Sequence, residues 1–145
     1  MKTQAIHLEH EHLGEHVEHI RLAAQEVPRL STDERTQLIE RILDFLRGEL
    51  LPHASAEEVG LYVDVGTLLG NPDATATMTY DHRAIGERIE ELAEVDARDT
   101  DRVQELLYGL FALIEVHVRK EEELYFPLVG ATKPFLFHRH AAARE

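Results

Sequence analysis

Helical periodicity runs through this 145-residue chain and leaves little room for another fold. Four stretches carry apolar residues three and four apart, at about residues 4–27, 33–65, 78–97 and 100–126, each bounded by start or stop chemistry. Pro28 closes the first, and Ser31 with Glu34 forms a capping box that opens the second. Within the second, Gly48 and Pro52 stand four apart. A proline ring clashes with the carbonyl four residues back, so a kink is expected beside His53. Residues 66–77 (GTLLGNPDATAT) have loop composition, with Leu68 and Leu69 expected to pack down. Asp99 or Thr100 caps the fourth stretch, Pro127 marks its end, and a flexible tail is expected over 134–145. No segment alternates as a strand does. Short connections between long amphipathic helices predict one all-α domain over residues 1–145, an antiparallel up-down four-helix bundle.

The two halves of this bundle read as a duplication. His10-Glu11-His12-Leu13-Gly14-Glu15 lies over His82-Arg83-Ala84-Ile85-Gly86-Glu87 at an offset of 72, keeping a histidine, a glycine, a glutamate and an apolar position. His53-Ala54-Ser55-Ala56-Glu57-Glu58 lies over His117-Val118-Arg119-Lys120-Glu121-Glu122 at an offset of 64. Each half is then a helix with one inward histidine followed by a helix bearing His-x-x-x-Glu.

Inwardness follows from the helical repeat. Three, seven and ten residues after His10 come Leu13, Val17 and Ile20, and after His82 come Ile85, Ile89 and Leu92, so both histidines share an apolar stripe. Side chains four apart stand one above the other, so His53 with Glu57, and His117 with Glu121, each direct an imidazole and a carboxylate to one point. A lone histidine on an apolar stripe is ordinarily a hydrogen-bonded core residue. Four of them with two carboxylates would leave uncompensated charge in a low dielectric, and a cation removes that cost. Four imidazoles and two bridging carboxylates fit a dinuclear centre. The chain has no cysteine, so sulfur ligation is excluded; iron or manganese suits such a site, and zinc is possible.

Composition narrows the remaining classes. Twenty-eight acidic against 15 basic residues give a net charge of -13, which repels nucleic acid and anionic membrane surfaces. No apolar run approaches the roughly 18 residues of a membrane span, and the N-terminus lacks a signal-peptide stretch, so a cytoplasmic location is expected. Ten histidines is an unusual number for this length. His12 and His19 point to the face opposite His10, and His16 lies about 120° away, so all three are expected at the surface. His7 is the competitor for the place of His10. The H-x-x-E-H string His12 to His16 begins outside the core, and Glu9-x-x-His12 is on the outer face, so neither protease nor ferritin chemistry is supported. Gly14 and Gly86 would permit close helix packing or leave room for a ligand. Leu13 and Ile85 would wall a small-ligand pocket. Glu58 and Glu122 are read either as further ligands or supports of the site, or as a solvated face. Tyr62 and Tyr125 lie two turns beyond the paired ligands.

These residues resemble the hemerythrin-like, or HHE cation-binding, family. The resemblance covers nearly the whole chain and rests on His-x-x-x-Glu-Glu followed by an aromatic and often proline, here His53 to Tyr62 and His117 to Pro127, with His82 inside Tyr80-Asp81-His82-Arg83-Ala84-Ile85. It implies a non-haem diiron centre, oxo- or hydroxo-bridged, with Glu57 and Glu121 as bridges and His10, His53, His82 and His117 as terminal ligands. Oxygen-carrying hemerythrin has a second histidine four residues after the one on its third helix, where this chain has Gly86. A more symmetric site is therefore expected, one that binds or reacts with dioxygen, peroxide or nitric oxide in oxygen handling or stress defence. A sensor or iron store without turnover is the alternative. The chain is expected to be a monomer or homodimer.

Overall fold

A computed structural model describes residues 2–130, with side chains from Glu9 onward. The expected tail over 134–145 and the side chain of His7 lie outside the described residues. Within them the chain is helical, without a strand: α1 (Lys2–Glu26), α2 (Thr32–Phe45), α3 (Leu51–Val59), α4 (Leu61–Leu69), α5 (Ala76–Glu94) and α6 (Thr100–Lys120). Helix α1 packs along α6 and touches α2 and α3, while α5 packs on α6, α2 and α3. No helix among the described residues is long and apolar enough to cross a membrane.

Local chemistry accounts for most of the boundaries. Pro28 sits in a single 3-10 turn, Val27–Arg29, that ends the first rod. The capping box forms as read: the Ser31 hydroxyl accepts from the Glu34 amide at 3.2 Å and the Glu34 carboxylate accepts from the Ser31 amide at 3.3 Å. Of the two candidate caps for α6, Asp99 is the one used, accepting from the Arg102 amide.

The second rod departs from the expected continuous helix over 33–65. A π turn, Leu46–Leu50, precedes α3, and the Leu51 amide reaches five residues back to the Leu46 carbonyl. Pro52 follows at once. Its ring cannot sit over the carbonyl four residues back, and the widened turn absorbs the clash. The same device ends the fourth rod: a π turn, Glu121–Tyr125, with the Phe126 amide bonded to the Glu121 carbonyl, directly before Pro127. Regular α-helix therefore stops at Lys120 rather than near 126, and a 3-10 turn continues to Val129. A second break falls at Gly60 (φ -117°, ψ -89°), between α3 and α4.

Other boundaries also moved. Helix α4 runs to Leu69 and the chain turns at Gly70 (φ 63°), so the loop expected from residue 66 is shorter. Leu68 and Leu69 do not pack down; they are 57% and 52% exposed, because the nearby apolar cluster reaches only as far as Val65. Helix α5 ends at Glu94 rather than Ala97, since Val95 turns extended.

Two apolar clusters fill the interior. The larger includes Leu13, Val17 and Ile20 of α1, Ile42 and Leu50, Ile85, Ile89 and Leu92 of α5, and Leu107, Leu110 and Ile114 of α6. Each fully buried aliphatic side chain contributes about 1.5–3 kcal/mol over its exposed state. Truncating the fully buried Leu107 to alanine would cost about 2–5 kcal/mol. The smaller cluster is Leu61, Tyr62, Val65, Met78 and Phe126. On α1 and α5 the larger cluster follows the histidine in sequence, and on the second and fourth rods it chiefly precedes it. The polar site lies between the two clusters.

Candidate metal centre

Helix α1 supplies His10, α3 supplies His53 and Glu57, α5 supplies His82, and α6 with its π turn supplies His117 and Glu121. All six are buried, Glu121 and His10 completely. The structure brings all six together. Ligating atoms of Glu57, His82, His117 and Glu121 lie within 4.8 Å of one another, and so do those of His10, His53 and Glu57. Glu57 belongs to both groups: its Oε1 is 3.3 Å from His82 Nε2, and its Oε2 is 3.4 Å from His10 Nε2 and 3.5 Å from His53 Nε2. Glu121 Oε1 spans the groups as well, 3.5 Å from His10 Nε2 and 3.4 Å from His117 Nε2. Ligands held at about 2.1 Å by one cation in tetrahedral or octahedral geometry stand roughly 3.0–3.4 Å apart, close to these spacings.

Every imidazole turns Nε2 inward and gives Nδ1 to a carboxylate. His10 pairs with Glu122 at 2.7 Å, His53 with Glu9 at 2.6 Å, His82 with Glu58 at 3.1 Å, and His117 with Asp81 at 2.9 Å. Such partners orient a metal-binding imidazole and raise its basicity. Lys120 bonds the same Asp81 oxygen at 2.5 Å. Of the two glutamates with open readings, Glu122 is buried against His10, and Glu58 sits 39% exposed at the rim beside His82. The π turn explains Glu122: widening the helix lets the consecutive Glu121 and Glu122 both face inward.

Glu9, expected on the outer face, and Asp81 and Phe126 were not among the site residues expected from the sequence. A signal for the acids was present, since Glu9-His10 and Asp81-His82 repeat an acid-histidine pair at the offset of 72. Phe126 packs its ring edge-on against His10 at 5.2 Å, while Tyr62 stacks on His82 at 5.5 Å. Phe126, rather than Tyr125, thus takes beside His10 the place that Tyr62 takes beside His82, and it follows Tyr62 by 64 residues, as His117 follows His53. The Tyr62 hydroxyl donates to Glu121 Oε2 at 2.8 Å and stands 3.1 and 3.2 Å from Nε2 of His82 and His117.

Electrostatics mark the cluster as strained without a cation. Burial and the Glu57 charge push the Glu121 carboxyl well above its usual range. Burial, with the Glu121 and Glu57 charges, drives the Tyr62 phenol far up, so it keeps its proton. At His10, burial opposes the charge, but bonds to Glu122 and Glu57 outweigh it and raise the pKa to about 9. Burial lowers His117 to about 4 despite its acidic neighbours. Among the described residues, two buried side-chain atoms have no hydrogen-bond partner, His53 Nε2 and Glu121 Oε1. Buried polar atoms are nearly always paired, and both of these are of a kind that ligates metals and lie inside the cluster, so the residues fit a bound cation.

The remaining residues read as pocket lining lie close by. Leu13 and Ile85, one turn beyond His10 and His82, are buried in the larger cluster, and Gly14 is buried too. Gly86 does not serve close packing, because a Cβ there would meet nothing within 4 Å. The three surface histidines divide: His12 and His19 are exposed, but His16 is half-buried, stacked on Phe45 at 4.6 Å.

No curated protein and no solved structure matches the chain. A family model, the hemerythrin HHE cation binding domain, matches residues 1–129. A match over that span, together with an interior of imidazoles and carboxylates arranged to hold cations, places this chain in the hemerythrin HHE cation-binding domain family.

Proposed function

We propose that this is a cytoplasmic non-haem diiron protein that binds or reacts with a small molecule, dioxygen, peroxide or nitric oxide, in oxygen handling or in defence against oxidative or nitrosative stress. His10 and His53 would hold one ion, His82 and His117 the other, with Glu57 and Glu121 bridging. The observation that carries this reading is the pair of orphaned ligand atoms, His53 Nε2 and Glu121 Oε1, inside a ring of imidazoles whose outer nitrogens are all held by carboxylates. Sulfur-free ligation with bridging carboxylates favours iron, with manganese next. When bound, two adjacent irons supply Lewis acidity and one-electron redox steps at neighbouring positions.

The chain's own residues do the rest. Glu122, Glu9, Glu58 and Asp81 hold the four rings in orientation and keep their protons on Nδ1, leaving each Nε2 lone pair inward. Tyr62 holds a proton at the hydroxyl facing Glu121. Leu13 and Ile85 keep the inner wall apolar, which suits a small uncharged ligand.

We read the architecture as an antiparallel up-down bundle made of two duplicated halves. The alternating side on which the larger cluster lies along successive rods supports the direction of each rod. Crosswise pairing supports the duplication: Glu9 with His53 answers Asp81 with His117, and Glu58 with His82 answers Glu122 with His10.

Anaerobic reconstitution with iron and metal analysis tests the proposal. Two irons per chain are expected, with loss of iron in His53→Ala and Glu121→Ala; wild-type protein that retains none would refute it. Peroxide consumption then separates turnover from storage or sensing, because a store or sensor consumes no more than free iron does.

A further inference from the structure

Among the described residues outside the buried cluster, one group of side chains is spaced for a cation and has no part in the proposed centre. His12 and His16 stand one turn apart on α1, their rings 4.8 Å from each other. Glu49 reaches them from the neighbouring rod, with Oε1 3.4 Å from His12 Nε2 and Oε2 4.0 Å from His16 Nε2. One ligating atom from each lies within 4.8 Å of the others. A cation with bonds of about 2.1 Å in tetrahedral geometry wants its ligands about 3.4 Å apart, which these side chains reach with small adjustments. Glu49 belongs to the Leu46–Leu50 π turn, and the half-buried His16 ring is held by its stack on Phe45. Two of the three ligands thus sit on constrained elements.

The place of this group gives it a use. It borders a cleft of about 360 Å³ whose lining includes His12 and Glu49 at the rim, Leu13 and Pro52 on the walls, and Glu9 with His53. Glu9, 57% exposed, bonds the nearly buried His53. A line of ligands therefore runs from the surface histidines through the Glu9 carboxylate to the imidazole whose Nε2 is orphaned within. Of the other three carboxylates, Glu122 beside His10 is buried, Asp81 beside His117 is 17% exposed and held by Lys120, and Glu58 beside His82 is 39% exposed, less open than Glu9. The net charge of -13 draws cations toward the whole surface, and the imidazole pair selects a transition metal over calcium or magnesium.

We propose that His12, His16 and Glu49 form a surface site for a divalent transition-metal cation at the mouth of the cleft, and that it captures Fe2+ for delivery past Glu9 to His53. Delivery rests on the diiron reading above, whereas surface binding does not. The probe for the surface site is Zn2+, titrated into the iron-loaded protein. One zinc per chain is expected beyond the two irons, weakened roughly tenfold or more in His12→Ala and in Glu49→Gln, with the iron content unchanged. For delivery, Fe2+ is added anaerobically to the metal-free protein. Both variants should fill several-fold more slowly than wild type and reach the same final iron content. No third cation, zinc binding indifferent to both substitutions, or filling at the wild-type rate would each overturn the proposal. Absence of interior iron in wild type would refute the diiron centre instead, and the loss of one zinc per chain from metal-free His12→Ala and Glu49→Gln relative to metal-free wild type would still report on the surface group.

Discussion

Replacing Tyr62 by phenylalanine separates a structural hydroxyl from one tied to the metal centre. The ring stays stacked on His82 and only the oxygen is lost. In the metal-free protein that oxygen donates to Glu121 Oε2 at 2.8 Å, and the other carboxylate oxygen has no hydrogen-bond partner. A completely buried carboxyl stripped of this donor should cost about 1–3 kcal/mol. For 145 residues that is a fall in melting temperature of roughly 3–12 °C. With cations bound, Glu121 gives its oxygens to them, and the loss should shrink below about 1 kcal/mol. Thermal unfolding of wild type and Tyr62→Phe, each with chelator and with bound iron, reads both numbers. Equal losses in the two forms, or no loss in the chelated one, would refute the coupling between the hydroxyl, Glu121 and the cations. The same substitution would leave a phenylalanine ring beside His82, as Phe126 already stands beside His10.

Three further outcomes are expected. Glu122→Ala leaves the buried His10 without its Nδ1 partner, so metal affinity measured against a competing chelator should fall about 10–100-fold; unchanged affinity would remove Glu122 from the site. His10 is raised from 6.5 to about 9 in the metal-free chain, so its charge stabilises the fold fully below about pH 6.5 and that contribution is lost as pH rises through 9. Chelated protein should therefore lose melting temperature across that window, and His10→Gln should flatten the decline. Because a cation must displace the same proton, iron affinity should rise over the interval, and a flat profile would contradict the assignment. Gly86→Ala should stabilise by about 0.5–1 kcal/mol in chemical denaturation with iron content intact, since the added methyl meets open space; destabilisation would mean that the space is not open.

Much of this was legible because helical repetition converts spacing directly into direction. The run His10, Leu13, Val17, Ile20 and its counterpart His82, Ile85, Ile89, Leu92 are buried throughout, which is all that a 3.6-residue period can say. The i, i+4 pairs likewise needed nothing but the rise of a regular turn. Legibility stopped where the helix stops being regular. Pro52 foretold a disturbance but not its form, and no period reveals that a π turn after Lys120 would bury Glu122 beside Glu121. Leu68 and Leu69 were misread because apolar character does not state whether a partner surface extends that far. Glu9 and Asp81 escaped for a related reason: each reaches a histidine on a neighbouring rod, 44 and 36 residues away, and such contacts depend on packing rather than on local spacing.

If four imidazoles and two carboxylates enclose a pair of cations, the metals themselves can be seen. Crystals of the iron-loaded protein, measured on both sides of the iron absorption edge, locate any iron directly. Two anomalous peaks are expected astride Glu57 and Glu121, one flanked by His10 and His53 and the other by His82 and His117. A single peak, or none within that ring, would contradict that arrangement.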